Sequence, residues 1–240
     1  MKTITTYIGL IFILSAISCE DFNKGSSKYE TMVMSVLEDI TEPDFIASPD
    51  PNIIIDRFDL GNDIWKSAHF RYRKISQLDY TPLDEIVLPL GNELFENSLL
   101  RNKKVSSFKN RIIEVVTKEK DTFLQTHSSI FNPILRELQA LSKLTADRKE
   151  LIVFSDLKEN SNFYSWYLSR DYKILNENPD LVVEKFLQQV PQDFDVSGVS
   201  LQIIYIPYDA KDNQEFMKLV KVYKEVFRRL KIPLTISANM

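Results

Sequence analysis

Met32-Val33-Met34-Ser35-Val36-Leu37-Glu38-Asp39-Ile40-Thr41-Glu42-Pro43 is a mostly apolar run that gives out into an acidic, hydroxyl-bearing loop. A run of this kind, with β-branched residues and a loop signal at its end, reads as a central parallel strand buried on both faces. Asp39 and Thr41 stand two residues apart at its carboxyl end, so both can face one spot above the sheet edge. Ligands of open α/β sheets bind at that edge, where the strand order reverses. The loop after this strand is therefore the first place to look for a site.

Two further runs share the design. Glu150-Leu151-Ile152-Val153-Phe154-Ser155-Asp156 is apolar and ends in an acid, and Val199 to Pro207 reads as a third buried strand. Ala68 to Ser76 alternates apolar and basic residues, which predicts a half-exposed strand. Asp84 to Pro89 is its partner across the turn Asp79-Tyr80-Thr81-Pro82. That hairpin is expected to be antiparallel and at a sheet edge, where basic residues and proline guard against stray pairing.

Helical spacing fills the intervals. Asp50-Pro51 suits a cap with proline in the first turn, opening a short helix over 52–60. Phe108, Ile112, Val115, Val116 and Phe123 predict a helix over 106–123. Ile130, Ile134, Leu138 and Leu141 predict another over 129–144, with Pro133 in its first turn. A helix is expected over 181–190, and Phe216, Leu219, Val220, Tyr223, Val226, Phe227 and Leu230 mark the clearest stripe of all. Residues 232–237 can add a last short strand. Strands alternating with helices predict an α/β fold: a doubly wound, mostly parallel sheet with an antiparallel edge hairpin and helices on both faces.

The first residues read as an address. Lys2 precedes an apolar stretch over 8–17 that is too short to span a bilayer as a stable anchor. Ala16-Ile17-Ser18-Cys19 resembles the bacterial lipoprotein signal, in which small residues precede a cysteine that is lipidated and becomes the new N-terminus. Ala16 stands where leucine is usual. Cys19 is the only cysteine in the chain. The resemblance implies lipidation at Cys19, a place in the bacterial cell envelope on the outer membrane, and membrane contact through the lipid anchor only. Glu20 and Asp21 resemble a short surface-export signal. The expected organisation is a signal over 1–18, a polar tether over 19–30 containing Gly25-Ser26-Ser27, and one domain over 31–240.

With Cys19 lipidated there is no disulfide, so packing must hold the domain together. A net charge of −4 speaks against a nucleic-acid partner. Arg71-Tyr72-Arg73-Lys74 interleaves aromatics with charges as nucleic-acid binders do, but on a secreted acidic chain it reads as an exposed strand face. Asn102-Lys103-Lys104 reads as a solvated loop.

Three loops carry oxygen donors: Asp39 and Thr41 after the first strand, Thr126, Ser128 and Ser129 before a helix, and Asp156 after a core strand. This set resembles the von Willebrand factor A domain and its metal-ion-dependent adhesion site. That family has an Asp-x-Ser/Thr-x-Ser loop after the first strand, a threonine before a helix, and an aspartate after the next core strand. The resemblance implies a metal site made of Asp39, Thr41, Ser128 and Asp156, holding Mg2+ or Mn2+. It also implies a protein or peptide partner that completes the octahedron with a carboxylate. Pro43 departs from the pattern, standing where the second loop serine belongs, and Ser128 replaces threonine.

Oxygen donors suit magnesium, manganese or calcium, whereas zinc prefers histidine and cysteine, of which the chain has two and one. Taken singly, Asp39, Ser128 and Asp156 are equally well explained as caps; only together do they suggest a site. His127 reads as a solvated loop residue. Phe163, Tyr164, Trp166 and Tyr167 either rim a binding surface or pack a helix on the sheet.

Enzyme signatures are sparse. Five glycines in the chain leave neither a P-loop nor a dinucleotide fingerprint, and there is no Gly-x-Ser-x-Gly elbow. The Asp-x-Asp of haloacid dehalogenase phosphatases is broken by Thr41. The sequence thus predicts a membrane-tethered, non-enzymatic module that binds a protein or peptide, with a divalent-cation site. The alternatives are a metal-dependent hydrolase using Asp39 and Asp156, and a metal-free scaffold.

Overall fold

A computed structural model of the chain describes residues 30–41, 45–75, 82–118 and 128–240. The signal segment, Cys19 and the tether before Glu30, and also Pro43, Thr126 and His127, lie outside these residues.

The elements in chain order are β1 (Thr31–Asp39), α1 (Pro51–Arg57), β2 (Ser67–Ile75), β3 (Asp84–Leu88), α2 (Ser98–Thr117) and α3 (Phe131–Ser142). Then follow β4 (Arg148–Phe154), α4 (Ser169–Glu177), α5 (Pro179–Leu187), β5 (Val199–Ile204), α6 (Ala210–Arg229) and β6 (Leu234–Ser237). They form one sheet in the order β3-β2-β1-β4-β5-β6. Every pairing is parallel except β2 with β3, which is antiparallel at the edge. The fold is doubly wound α/β, as the periodicity predicts. The chain leaves β1 toward β2 and β3, then returns to β4 on the other side of β1. The order therefore reverses between β1 and β4, and ligands of open α/β sheets bind outside the carboxyl ends of strands at such a point.

β1 explains the two cores. Its side chains alternate between faces, so Val33 and Leu37 join Leu151, Val153 and Ile203 beneath α3, α5 and α6. Met32, Met34 and Val36 join Ile152, Ile54 and Ile112 beneath α1 and α2. α1 begins as expected: Asp50 accepts a hydrogen bond from the Asn52 N–H, and Pro51 occupies the first turn.

Three expectations need correction, two of them because a charge is buried where the pattern predicts water. α2 starts at Ser98, not at 106, and takes in Asn102-Lys103-Lys104. Its first inward residue is Arg101, with no exposed surface, and an apolar-stripe reading passes over a charged residue. Arg71 is 8% exposed, not on an open face. Its Nε donates to Glu137 of α3 at 2.6 Å, and Nη1 donates to Glu85 of β3. α4 is an element that the sequence reading left out; it buries little besides Asp171 and Leu175. Of the aromatic cluster, Tyr164 and Trp166 are buried, Tyr164 packing at a tilt on Phe186 and Trp166 edge-to-face on Tyr172, while Tyr167 is exposed. Packing, more than a binding rim, accounts for it.

Candidate functional site

The carboxyl ends of β1 and β4 meet through side chains. Asp39, 3% exposed, ends β1. Its Oδ1 accepts from the Thr41 N–H at 3.0 Å and the Thr41 hydroxyl at 2.6 Å, closing the turn after the strand. Its Oδ2 accepts from the Ser155 hydroxyl at 2.8 Å, across the point where strand order reverses. Asp156, the next residue and also buried, turns toward α6. Its Oδ1 accepts from the Lys158 N–H at 2.9 Å, and its Oδ2 lies 3.2 Å from Lys158 Nζ. That ammonium also reaches Asp212 in the first turn of α6, at 3.2 Å. Asp212 accepts from the Tyr205 hydroxyl and the Tyr208 N–H besides. Burial opposes its charge, yet these donors together hold its carboxyl below the usual aspartate value.

The loop that carries Asp156 bends sharply. Leu157 is fully buried and sits at φ +65°, a left-handed conformation that costs an L-residue about 1–2 kcal/mol. The bend brings Glu159 and Asn160 back to the segment before α3. Asn160 and Ser128 exchange backbone hydrogen bonds at 2.7 and 3.1 Å. Glu159 has no exposed surface, and its Oε2 accepts from the N–H groups of Ile130 and Phe131 at 2.8 and 2.9 Å. α3 has no side-chain cap of its own. A carboxylate from a distant loop caps it instead, where the helix dipole favours negative charge.

Asp39 and Asp156 stand at the carboxyl ends of the neighbouring strands β1 and β4, and the links made there are ones that the sequence reading missed. Ser155, not Asp156, meets Asp39, and Ser128 is placed by Asn160. Glu159 was overlooked as well. The signal available for both was a hydroxyl directly before Asp156 and a second acid three residues after it.

The electrostatics are strained. Burial is the first reason that the Glu159 carboxyl is pushed up to about 7, and the Asp39 charge adds to it. The Ser161 hydroxyl and the N–H groups of Phe131 and Ile130 pull the other way. Oε1 nonetheless has no partner of hydrogen-bond geometry. Tyr223, fully buried beneath on α6, has its phenol raised by burial and by the charges of Glu159, Asp156 and Asp39. Among the described residues the Ser128 and Tyr223 hydroxyls also find no hydrogen-bond partner. Buried groups left open in this way are uncommon in folded proteins, and an ordered water, an ion or a ligand is one way to complete them.

All donors here are oxygens, so the chemistry fits a hard cation better than zinc. Ser128 Oγ is an available donor. Against a cation stands Lys158, whose ammonium already lies on Asp156. Among the described residues no group of three His, Cys, Asp or Glu side chains is placed to hold a metal ion, so a cation would have to use hydroxyls too.

No protein-family model matches the chain, and no curated protein does. Among solved structures, a mutant of the PilB minor pilin from Streptococcus sanguinis superposes with a TM-score of 0.48 and 10% identity. That match covers 89% of this chain, which spans 58% of the pilin chain. An uncharacterised membrane-spanning protein from Vibrio fischeri follows, with a TM-score of 0.23 and 9% identity over 88% of this chain and 92% of that one.

Proposed function

We propose that this chain is a von Willebrand A-like binding module, held to the bacterial envelope by lipid on Cys19, that captures a protein or peptide at the carboxyl edge of its sheet. The observation that carries the reading is the convergence there of Asp39, Ser155, Asp156, Ser128 and Glu159, with open hydroxyls at Ser128 and Tyr223. Mg2+ or Mn2+ is the cation proposed for the site. Asp39, Thr41, Ser128 and Asp156 would hold it, and when bound it would present an electrophilic position to a carboxylate of the partner. Thr41 could keep the hydrogen bond that its hydroxyl gives to Asp39 and offer the cation an oxygen lone pair.

One observation favours a second, metal-free reading. Lys158 already supplies a positive charge to Asp156 and Asp212, and a site of that kind would receive an acidic group without an ion. The hydrolase alternative uses the same carboxylates and differs in turning its ligand over.

Calorimetric titration of the full chain with Mn2+, followed by an acidic peptide, separates these. Saturable heat with Mn2+ that disappears in Asp39→Ala is expected, with peptide bound and left intact. Heat that survives Asp39→Ala would remove the assigned site. Peptide binding without any Mn2+ heat would leave the Lys158 reading, and peptide cleavage would favour the hydrolase.

A further inference from the structure

The opposite, amino edge of the sheet carries the most exposed apolar residues in the described structure. Leu94 and Phe95 are 87% and 88% exposed and adjacent in the β3–α2 connection, and Leu90, Leu99 and Leu100, nearby in sequence, are exposed as well. The tip is built, not loose. Leu94 N–H is bonded to Asn92 Oδ1, the N–H groups of Phe95 and Glu96 to the Asn92 carbonyl, and Leu99 N–H to Asn97. At its base, buried Arg101 donates to the carbonyls of Ile64, Lys66 and Pro89 at 2.6–2.8 Å. Gly91 is pressed so close that an added Cβ would lie 2.6 Å from the Trp65 ring. A rigid frame thus holds two large apolar side chains out in water. Single surface leucines need no explanation, but two adjacent large apolar side chains held out by a hydrogen-bonded frame do.

Its position says what covers it. Thr31 pairs with Ser67 and Ala68 with Leu88, so the end of β3 and the start of β1 flank the start of β2 at the same edge. Glu30, where the described structure begins, is ion-paired to Lys66, whose carbonyl binds Arg101. The chain therefore enters the domain in the same cluster that supports the tip. The expected lipidated Cys19 lies only eleven positions earlier in sequence, a span of at most about 40 Å when extended. On the lipid-anchor reading, this point of entry puts the amino edge within that reach of the bilayer.

We propose that Leu94 and Phe95, with Leu99 and Leu100, form a membrane-inserting wedge that seats this edge on the lipid surface and turns the carboxyl-edge site away from it. The wedge rests on the lipid-anchor reading for its orientation, since an anchor alone would leave the domain free to tumble and a second apolar contact fixes it.

The test uses the full chain reconstituted into phosphatidylethanolamine–phosphatidylglycerol vesicles with brominated acyl chains. Phe95→Trp is compared with Tyr208→Trp at the other edge, each against the unsubstituted chain with its native Trp65 and Trp166. Both positions are exposed, so neither substitution disturbs the core. The Phe95→Trp indole is expected to shift to shorter wavelength and be quenched severalfold more than the Tyr208→Trp indole. Equal, water-like emission from both on chains that float with the vesicles overturns the wedge while leaving the anchor intact. Quenching at position 95 that is indifferent to Cys19→Ser supports the wedge and removes the anchor. A blue shift that grows with protein concentration in the absence of lipid assigns the patch to a second copy of the chain and overturns the proposal.

Discussion

Arg101 and Glu159 are both charged side chains without exposed surface, and they sit at opposite edges of the sheet. Arg101 gives three N–H groups to three carbonyls and ties three segments together. Glu159 satisfies one oxygen with two N–H groups of α3, and the other has no partner of hydrogen-bond geometry among the described residues. The first environment is complete and reads as architecture. The second has unused bonding capacity, beside Asp39 and two open hydroxyls, and reads as a site. What separates a structural buried charge from a functional one here is the completeness of its partners, since burial is common to both.

The largest effect is expected from Arg101→Ala. It leaves three carbonyls without donors and should cost about 3–5 kcal/mol in urea unfolding. A loss below about 1 kcal/mol would break the contrast, because the frame would then not depend on the guanidinium.

Next is the pH dependence of Glu159. Its folded-state value of about 7 stands above the ordinary 4.5, so the folded chain keeps a proton that the unfolded chain has given up. Stability should therefore fall as pH rises from about 4.5 to about 7 and level off above that, by on the order of 3 kcal/mol from this group. Glu159→Gln keeps an acceptor for Ile130 and Phe131 and should flatten the slope. An unchanged slope in that variant would show that another group carries it.

Gly91→Ala sharpens the architectural side. The new methyl would meet Trp65 and Arg101 Nε at 2.6 and 2.9 Å, and overpacking of this kind costs about 1–3 kcal/mol. Its melting temperature should fall without any change in Mn2+ titration. The smallest effect is expected on the site side. Lys158→Ala removes the resident positive charge from Asp156, and if a divalent cation binds there its affinity should rise about tenfold, near 1.4 kcal/mol. A fall in affinity would mean that Lys158 organises the site instead of competing for it.

The same contrast explains what was readable in advance. The strands were legible because apolar runs with a period of two, or none, survive any tertiary context, and β1, β4 and β5 were placed to within a few residues. The early turns of α2 were not, because their inward residue is Arg101 and their apolar residues, Leu99 and Leu100, face outward. Asp39 and Asp156 were legible as acids closing apolar strands. Ser155 and Glu159 were not, since their roles depend on the left-handed turn at Leu157 and on an uncapped helix far away in sequence.

By itself, then, the sequence determined the alternation of strands and helices, the antiparallel edge and the edge on which acids would gather, because burial pattern and strand direction are local properties. Only the tertiary structure decided which oxygens share hydrogen bonds, which charges are enclosed, and which apolar side chains are left in water. Those depend on what packs across a gap of many residues, and no period in the chain records it.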